Sequence, residues 1–259
     1  MASESYADLP AALHAIVPAD ARVIGFGEIH ARTDRVQVKS SLAHFTTDAL
    51  PAIGDQLSDL IVETWVVDPK CGKQAEEATA KVAISTRRPV ETHSEIAQLA
   101  EAARARGIQP HAMDVTCADY ARIAPQGKDV DFEAMLTLTT RELTRVATET
   151  LAQRDGEAKH RPWIALYGGA LHNDRFPAKG VEDWSYAGKL DELTHGHYVE
   201  VDVIVPELAT EDPTSQKEPW FALVRDAVAD DGASTRGQRV HVWKRGERSY
   251  VVVLPRTTP

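Results

Sequence analysis

The chain has 259 residues, 43% of them apolar and 26% charged, with 15 Gly and 14 Pro. These proportions exclude collagen-like and low-complexity architectures and leave enough apolar residues for a sizeable core in one large or two small units. Twenty-nine basic residues against 39 acidic ones give a net charge of −10, which repels phosphate backbones and anionic lipid, so neither nucleic acid nor a membrane is an expected partner.

Extended and helical signals alternate along the chain. Residues 9–17 suit a short leading helix within the first 20 residues. Residues 22–26 (RVIGF) form a compact apolar strand running straight into Gly27-Glu28-Ile29-His30. Val38, Leu42, Phe45 and Ala49 then recur at helical spacing, ending near Pro51. Residues 59–65 (DLIVETW) read as a second buried strand with Glu63 inside it. Residues 68–90 are polar, carry two prolines and read as a loop with at most one short helix. Thr92 and Glu95 have capping-box spacing ahead of the apolar face Ile96, Leu99, Ala100 and Ala103. Gly107 stops that helix and residues 108–115 suit a third strand. Residues 131–153 form the longest helix, residues 161–167 a fourth strand ending at Gly168-Gly169, and residues 184–193 a further helix. Strands are expected at 198–205, 239–244 and 249–254, the last two as a hairpin. The stretch 207–238 is the least regular, and its helix at 220–228 is a candidate lid.

Strands separated by helices argue for a single α/β domain: a largely parallel central sheet flanked by helices, with an antiparallel C-terminal edge. No apolar run approaches the ~20 residues of a membrane helix. The amino terminus lacks the basic-plus-apolar pattern of a secretory signal. Cys71 and Cys117 have no CxxC partner, and two scattered cysteines read as free thiols in a reducing cytoplasm, unless a signal peptide has been removed.

In an open α/β sheet, ligands bind beyond the carboxyl ends of the strands. Here those ends carry Glu28 and His30, Glu63, Asp114, and His172-Asn173-Asp174. Two of them share a pattern, RVIGFGEIH and WIALYGGALH, each an apolar strand followed by glycine and G-x-x-H. Glycine at that point is expected to let the backbone turn sharply and present the histidine. A carboxylate inside an apolar strand is costly unless paired, so Glu63 calls for a cationic histidine or a metal. His93, His195-Gly196-His197 and the five tryptophans read more simply as cap, turn and packing. There is no G-x-S-x-G elbow and no complete phosphate loop.

The paired motifs Gly27–His30 (GEIH) and Gly169–His172 (GALH), with Glu63 of IVET, resemble the superfamily that joins TIKI/TraB proteases, erythromycin esterase-like enzymes and ChaN-like haem-binding proteins. The resemblance implies an α/β fold with both histidines and the glutamate converging on one site: His30, Glu63 and His172, with Glu28 beside them. It implies hydrolysis of an ester or amide by activated water, on a small-molecule or peptide substrate. In that reading His30 is the general base, oriented by Glu28 or Glu63, and His172 polarises the carbonyl or protonates the leaving group. A divalent ion (Mn, Co or Zn) held by His30, Glu63, His172 and Asp114 could supply the activation instead. The alternative is a ChaN-like haem- or ligand-binding protein without catalysis, with His30 or His172 on the iron.

Overall fold

The computed structural model describes residues 3–35, 38–65, 68–229 and 238–257. Its strands are β1 (Glu4–Tyr6), β2 (Val23–Glu28), β3 (Leu57–Trp65), β4 (Gln109–Met113), β5 (Trp163–Gly169), β6 (Tyr198–Ile204), β7 (Val240–Gly246) and β8 (Ser249–Val253). They form one sheet in the order β1-β7-β8-β6-β2-β5-β3-β4. From β4 to β8 every pairing is parallel, and β7 and β1 close one edge antiparallel. This is the expected α/β architecture. The three-residue β1 is an addition to it, too short to show any alternation in sequence.

The helices are α1 (Leu9–Ile16), α2 (Ser41–His44), α3 (Leu50–Ile53), α4 (Gly72–Thr86), α5 (Glu91–Ala105), α6 (Cys117–Ile123), α7 (Phe132–Asp155), α8 (Ala170–Asn173), α9 (Ala187–Leu193), α10 (Pro206–Thr210) and α11 (Phe221–Ala229). One face of the sheet packs Ile24, Phe26, Ala165 and Val201 against Leu13, Phe45, Leu50 and Leu99. The other packs Val23, Ile164 and Leu166 against Leu143 and Val146 of α7 and Leu190 of α9. Covered on both faces, the central strands are continuous apolar runs, as parallel strands are.

A π turn over Phe45–Ala49 joins α2 to α3. Pro51 has no N–H to give and its ring crowds the carbonyl four residues back, so the hydrogen-bond ladder slips by one residue just before it and the helix continues. Residues 68–90, expected as loop, contain the fifteen-residue α4. Its buried face is only Ala75, Ala78 and Val82, an apolar stripe too thin to stand out in a polar segment. The capping box is not made: α5 begins at Glu91, and Glu95 accepts from Ser40 at 2.8 Å instead. The expected lid is not one. Leu223, Val224 and Ala227 of α11 pack on Ile204, Val251 and Val253 of the sheet. Residues 230–237 of that stretch lie outside the described residues.

Cys71 and Cys117 form a disulfide across 46 residues, with Cα atoms 5.2 Å apart, contrary to the free thiols expected. Tertiary packing sets the start of α6 against the start of α4, which a 46-residue separation conceals. With the pairing goes the composition-based reason for placing the chain in a reducing compartment. Among the described residues no helix is long and apolar enough to cross a membrane. Because the bond restricts the unfolded chain, Cys71→Ser is expected to cost about 2–4 kcal/mol. The check is a urea midpoint that falls by the same amount in the variant and in the reduced wild type; an unchanged midpoint would show that the bridge does not stabilise the fold.

Candidate active site

The two G-x-x-H motifs end adjacent strands. β2 and β5 pair in parallel with Gly27 opposite Gly168 and Glu28 opposite Gly169, so the internal echo in the sequence becomes a physical neighbourhood. β3 lies on the far side of β5 and brings Glu63 to the same edge. The glycines serve by their size rather than by turning the chain. Neither Gly168 nor Gly169 has a positive φ, but a Cβ on Gly168 would lie 2.6 Å from Glu63 Oε2, and one on Gly169 would lie 2.9 Å from His30 Nε2. Bare backbone there makes room for the two catalytic candidates.

His30 donates from Nδ1 to Glu28 Oε1 at 2.6 Å, and Glu28's other oxygen accepts from the Tyr167 hydroxyl. Burial, then the Glu28 carboxylate, hold that phenol well above its ordinary pKa, so it stays a donor. The Tyr167 ring is clamped by Phe45, their centroids 4.7 Å apart. Glu28 therefore fixes the His30 tautomer, as the sequence reading expects of it. The other ring nitrogen is not free, however. Arg88 Nη2 lies 2.7 Å from His30 Nε2 and 3.2 Å from Glu63 Oε1. Glu63 Oε2 in turn accepts from the Gly169 amide at 2.6 Å.

A guanidinium N–H at that distance needs a lone pair on Nε2, so the ring beside Arg88 is neutral. Burial and the Arg88 charge also push the His30 pKa down, yet Glu63 and Glu28 outweigh them and the net direction is upward. The two effects are exclusive states. Protonating Nε2 requires Arg88 to withdraw from it. For Glu63, burial pushes the pKa up, but His30 and then His172 and Arg88 reverse this and hold it well below the carboxylate range. It is the anion that anchors Arg88.

Arg88 was not singled out for a site by the sequence. Its placement is tertiary. Arg87 ends α4 in the left-handed conformation (φ 53°), accepts at its carbonyl from the Thr33 amide, and pairs with Asp34. That pins the end of α4 to the loop after His30.

His172, on α8, is held differently. Its Nδ1 lies 2.9 Å from the carbonyl of Trp184 and 2.9 Å from the Thr140 hydroxyl, which itself donates to that carbonyl at 2.8 Å. A carbonyl only accepts, so the proton is assigned to Nδ1 and the lone pair to Nε2, which has no hydrogen-bond partner among the described residues. Burial lowers the His172 pKa below its ordinary 6.5, so near neutrality the ring is an uncharged base. Thr140 is a second residue missed in the sequence; it reads there as one of many threonines on α7.

His30, Glu28, Glu63, Arg88 and His172 all line one cavity of about 500 Å³. Asp114 does not join them. Its side chain is 87% exposed and pairs with Arg145 at 2.9 Å, because β4 ends one residue earlier, at Met113, and Asp114 leaves the sheet. Asn173 turns under β2, donating to Gly25 O and Asp202 Oδ1 at 3.0 Å each, and Asp174 pairs with Arg245. His195 occupies a left-handed turn.

A divalent ion between His30 and Glu63 would need Nε2 and Oε1, the two atoms facing Arg88. The guanidinium fills that place with its own positive charge, and among the described residues no group of three His, Cys, Asp or Glu comes together as a ligand set. With Arg88 there, the residues do not fit a resident metal.

No family model matches the sequence, and no curated protein matches it. Among solved structures the chain is similar to the type III effector HopBA1, at 13% identity and a TM-score of 0.46 over 99% of this chain and 98% of that one. It is also similar to RRSP, a MARTX toxin effector domain from Vibrio vulnificus, at 18% identity and a TM-score of 0.33. That likeness covers 63% of this chain and 30% of that chain, so this chain spans under a third of its length. At these values neither likeness bears on function, and the motif resemblance rests on its own residues.

Proposed function

We propose that the cavity is a hydrolytic site for an ester or amide, in which His172 is the general base and Arg88 the group that polarises the carbonyl. The observation that carries this reading is the His172 ring: neutral, its tautomer held by Trp184 and Thr140, its Nε2 without a hydrogen-bond partner among the described residues, in a cavity shared with a fixed guanidinium. This reverses the roles expected from sequence, where His30 is the base. In the proposed cycle Nε2 takes a proton from water as the oxygen attacks the carbonyl. The charge developing on the carbonyl oxygen is met by the Arg88 N–H groups that His30 and Glu63 leave unused. The imidazolium at His172 then returns the proton to the leaving group as the C–O or C–N bond breaks. Glu28, Tyr167, His30 and Glu63 act through Arg88, as positioning residues.

The test is a panel of ester, lactone and peptide substrates, run with EDTA and with added Mn, Co or Zn. Hydrolysis that survives EDTA and is lost in His172→Ala is the expected outcome. Activity that disappears with EDTA and returns with metal would replace this reading by the metal one, with Arg88 displaced and His30, Glu63 and His172 as ligands. No hydrolysis together with a Soret shift on haem titration would favour the ChaN-like binding role. Arg88→Ala is expected to lose roughly 100-fold in kcat, the scale of one removed oxyanion donor, with kcat falling more than KM rises; Arg88→Lys should restore only part.

A further inference from the structure

The cavity has two unlike ends. All its ionisable side chains apart from the rim residue His93, which is exposed, sit where β2, β3 and β5 end. The remainder is an arm whose apolar lining is Trp65, Val82, Ile96, Met113, Met135 and Leu136, interspersed with threonines. We propose that this arm binds an unbranched, uncharged alkyl chain, so that the preferred substrate is a medium-chain acyl ester or amide. The inference rests on the hydrolytic reading only for the word substrate; the chain-binding arm stands by itself.

Three observations point to a chain rather than to a peptide or a sugar. First, the arm offers few free polar groups: Trp65 Nε1 already donates to Thr79 Oγ1 at 3.4 Å and the Thr86 hydroxyl to Val82 O at 2.8 Å, and among the described residues the lining hydroxyls without a hydrogen-bond partner are those of Thr64, Thr92 and Thr139. A peptide or sugar, with an amide or hydroxyl at every unit, would leave most of them unpaired there, whereas methylenes demand nothing. Second, the chain has three methionines, and both of those after Met1 line this arm. Unbranched thioethers repack around an occupant that is itself flexible. Third, the mouth is apolar: Val90, 81% exposed, and Leu171, 37% exposed, belong to the same lining. Exposed apolar side chains beside a cleft mark where apolar ligand enters.

Volume sets the length. At about 30 Å³ per heavy atom, the share of a liquid water, 500 Å³ holds roughly 16 heavy atoms. An ester group, the attacking water and imperfect filling take several, leaving room for a chain of roughly 8–10 carbons.

Two series on the wild-type protein test this. In p-nitrophenyl esters from C2 to C14, kcat/KM is expected to rise roughly threefold to fourfold per methylene, as burial of a CH₂ dictates, and to turn over near C8–C10. In calorimetry with 2-alkanones from C4 to C12, which carry a carbonyl but no leaving group, affinity should follow the same curve. Met135→Trp should move both optima to shorter chains. If circular dichroism shows that variant unfolded, Ala83→Leu serves instead. Ester hydrolysis with a flat length dependence, or alkanone binding independent of length, would overturn the alkyl arm and leave the hydrolytic reading standing. Length-dependent alkanone binding with no ester or amide cleaved would keep the arm and remove the hydrolysis.

Discussion

Replacing His172 by alanine is expected to lower kcat/KM on the best ester by roughly 100-fold or more, the scale of a lost general base. The reason is specific to Nε2. The Nδ1 side of the ring is committed to Trp184 O and Thr140, so only Nε2 can take a proton from water. Burial holds the ring's pKa below 6.5. A base works unprotonated, so wild-type kcat/KM should rise with pH through that lowered pKa and be level from there to neutrality. In His172→Ala the rising limb should vanish, with circular dichroism and urea midpoint near the wild type. Thr140→Val, which removes one of the two groups fixing the ring, should fall between the two in rate and keep the limb. Retention of activity within a few-fold in His172→Ala would move the base elsewhere, with His30 the first candidate.

The largest stability effect is expected far from the cavity, at Asp59. This carboxylate lies fully buried in β3, gripped by Arg154 from the last turn of α7 through Nε at 2.6 Å and Nη2 at 2.8 Å, and by His111 of β4 at 2.8 Å. Burial alone would raise its pKa, but Arg154 and His111 hold it far below 3.8. Arg154→Ala leaves a buried anion with one weak partner, a loss of about 3–5 kcal/mol. A depressed carboxylate contributes stability that is present above its unfolded pKa of 3.8 and lost as pH falls through the folded value. In Arg154→Ala the folded pKa rises, so the carboxyl accepts a proton earlier on acidification and the deficit against wild type should shrink below about pH 4. Urea unfolding at pH 7 and pH 3.5 reads both numbers. Equal deficits at the two pH values would mean that the loss is one of packing and not of charge.

The polar groups at these two places were unequally visible in the sequence. Glu28, His30, Glu63 and His172 could be named because each follows or interrupts an apolar strand, and the ends of parallel strands converge. Asp114 met the same criterion and failed, since β4 stops at Met113, two residues short of the expected end, and leaves it in solvent beside Arg145. Asp59 was hidden because one buried carboxylate in a strand looks like any other residue at its boundary. Its partners lie 52 and 95 positions away.

What the sequence by itself determined is the part governed by local periodicity and by rules for parallel sheets. That covers the α/β class, the identities of seven of the eight strands, the antiparallel edge, and the placing of both G-x-x-H turns at strand ends. Each follows from apolar runs of strand length and helical stripes, which are properties of neighbouring residues. Only the tertiary structure decided which atoms meet. It put β2 beside β5 so that the two motifs adjoin, joined Cys71 to Cys117, and carried Arg88 from the end of α4 onto His30 Nε2. In the proposed mechanism that last contact exchanges the roles of the two histidines. Lone pairs and charges act over 3 Å in space, and separations of 25 to 58 residues along the chain between Arg88 and its partners leave no periodic trace.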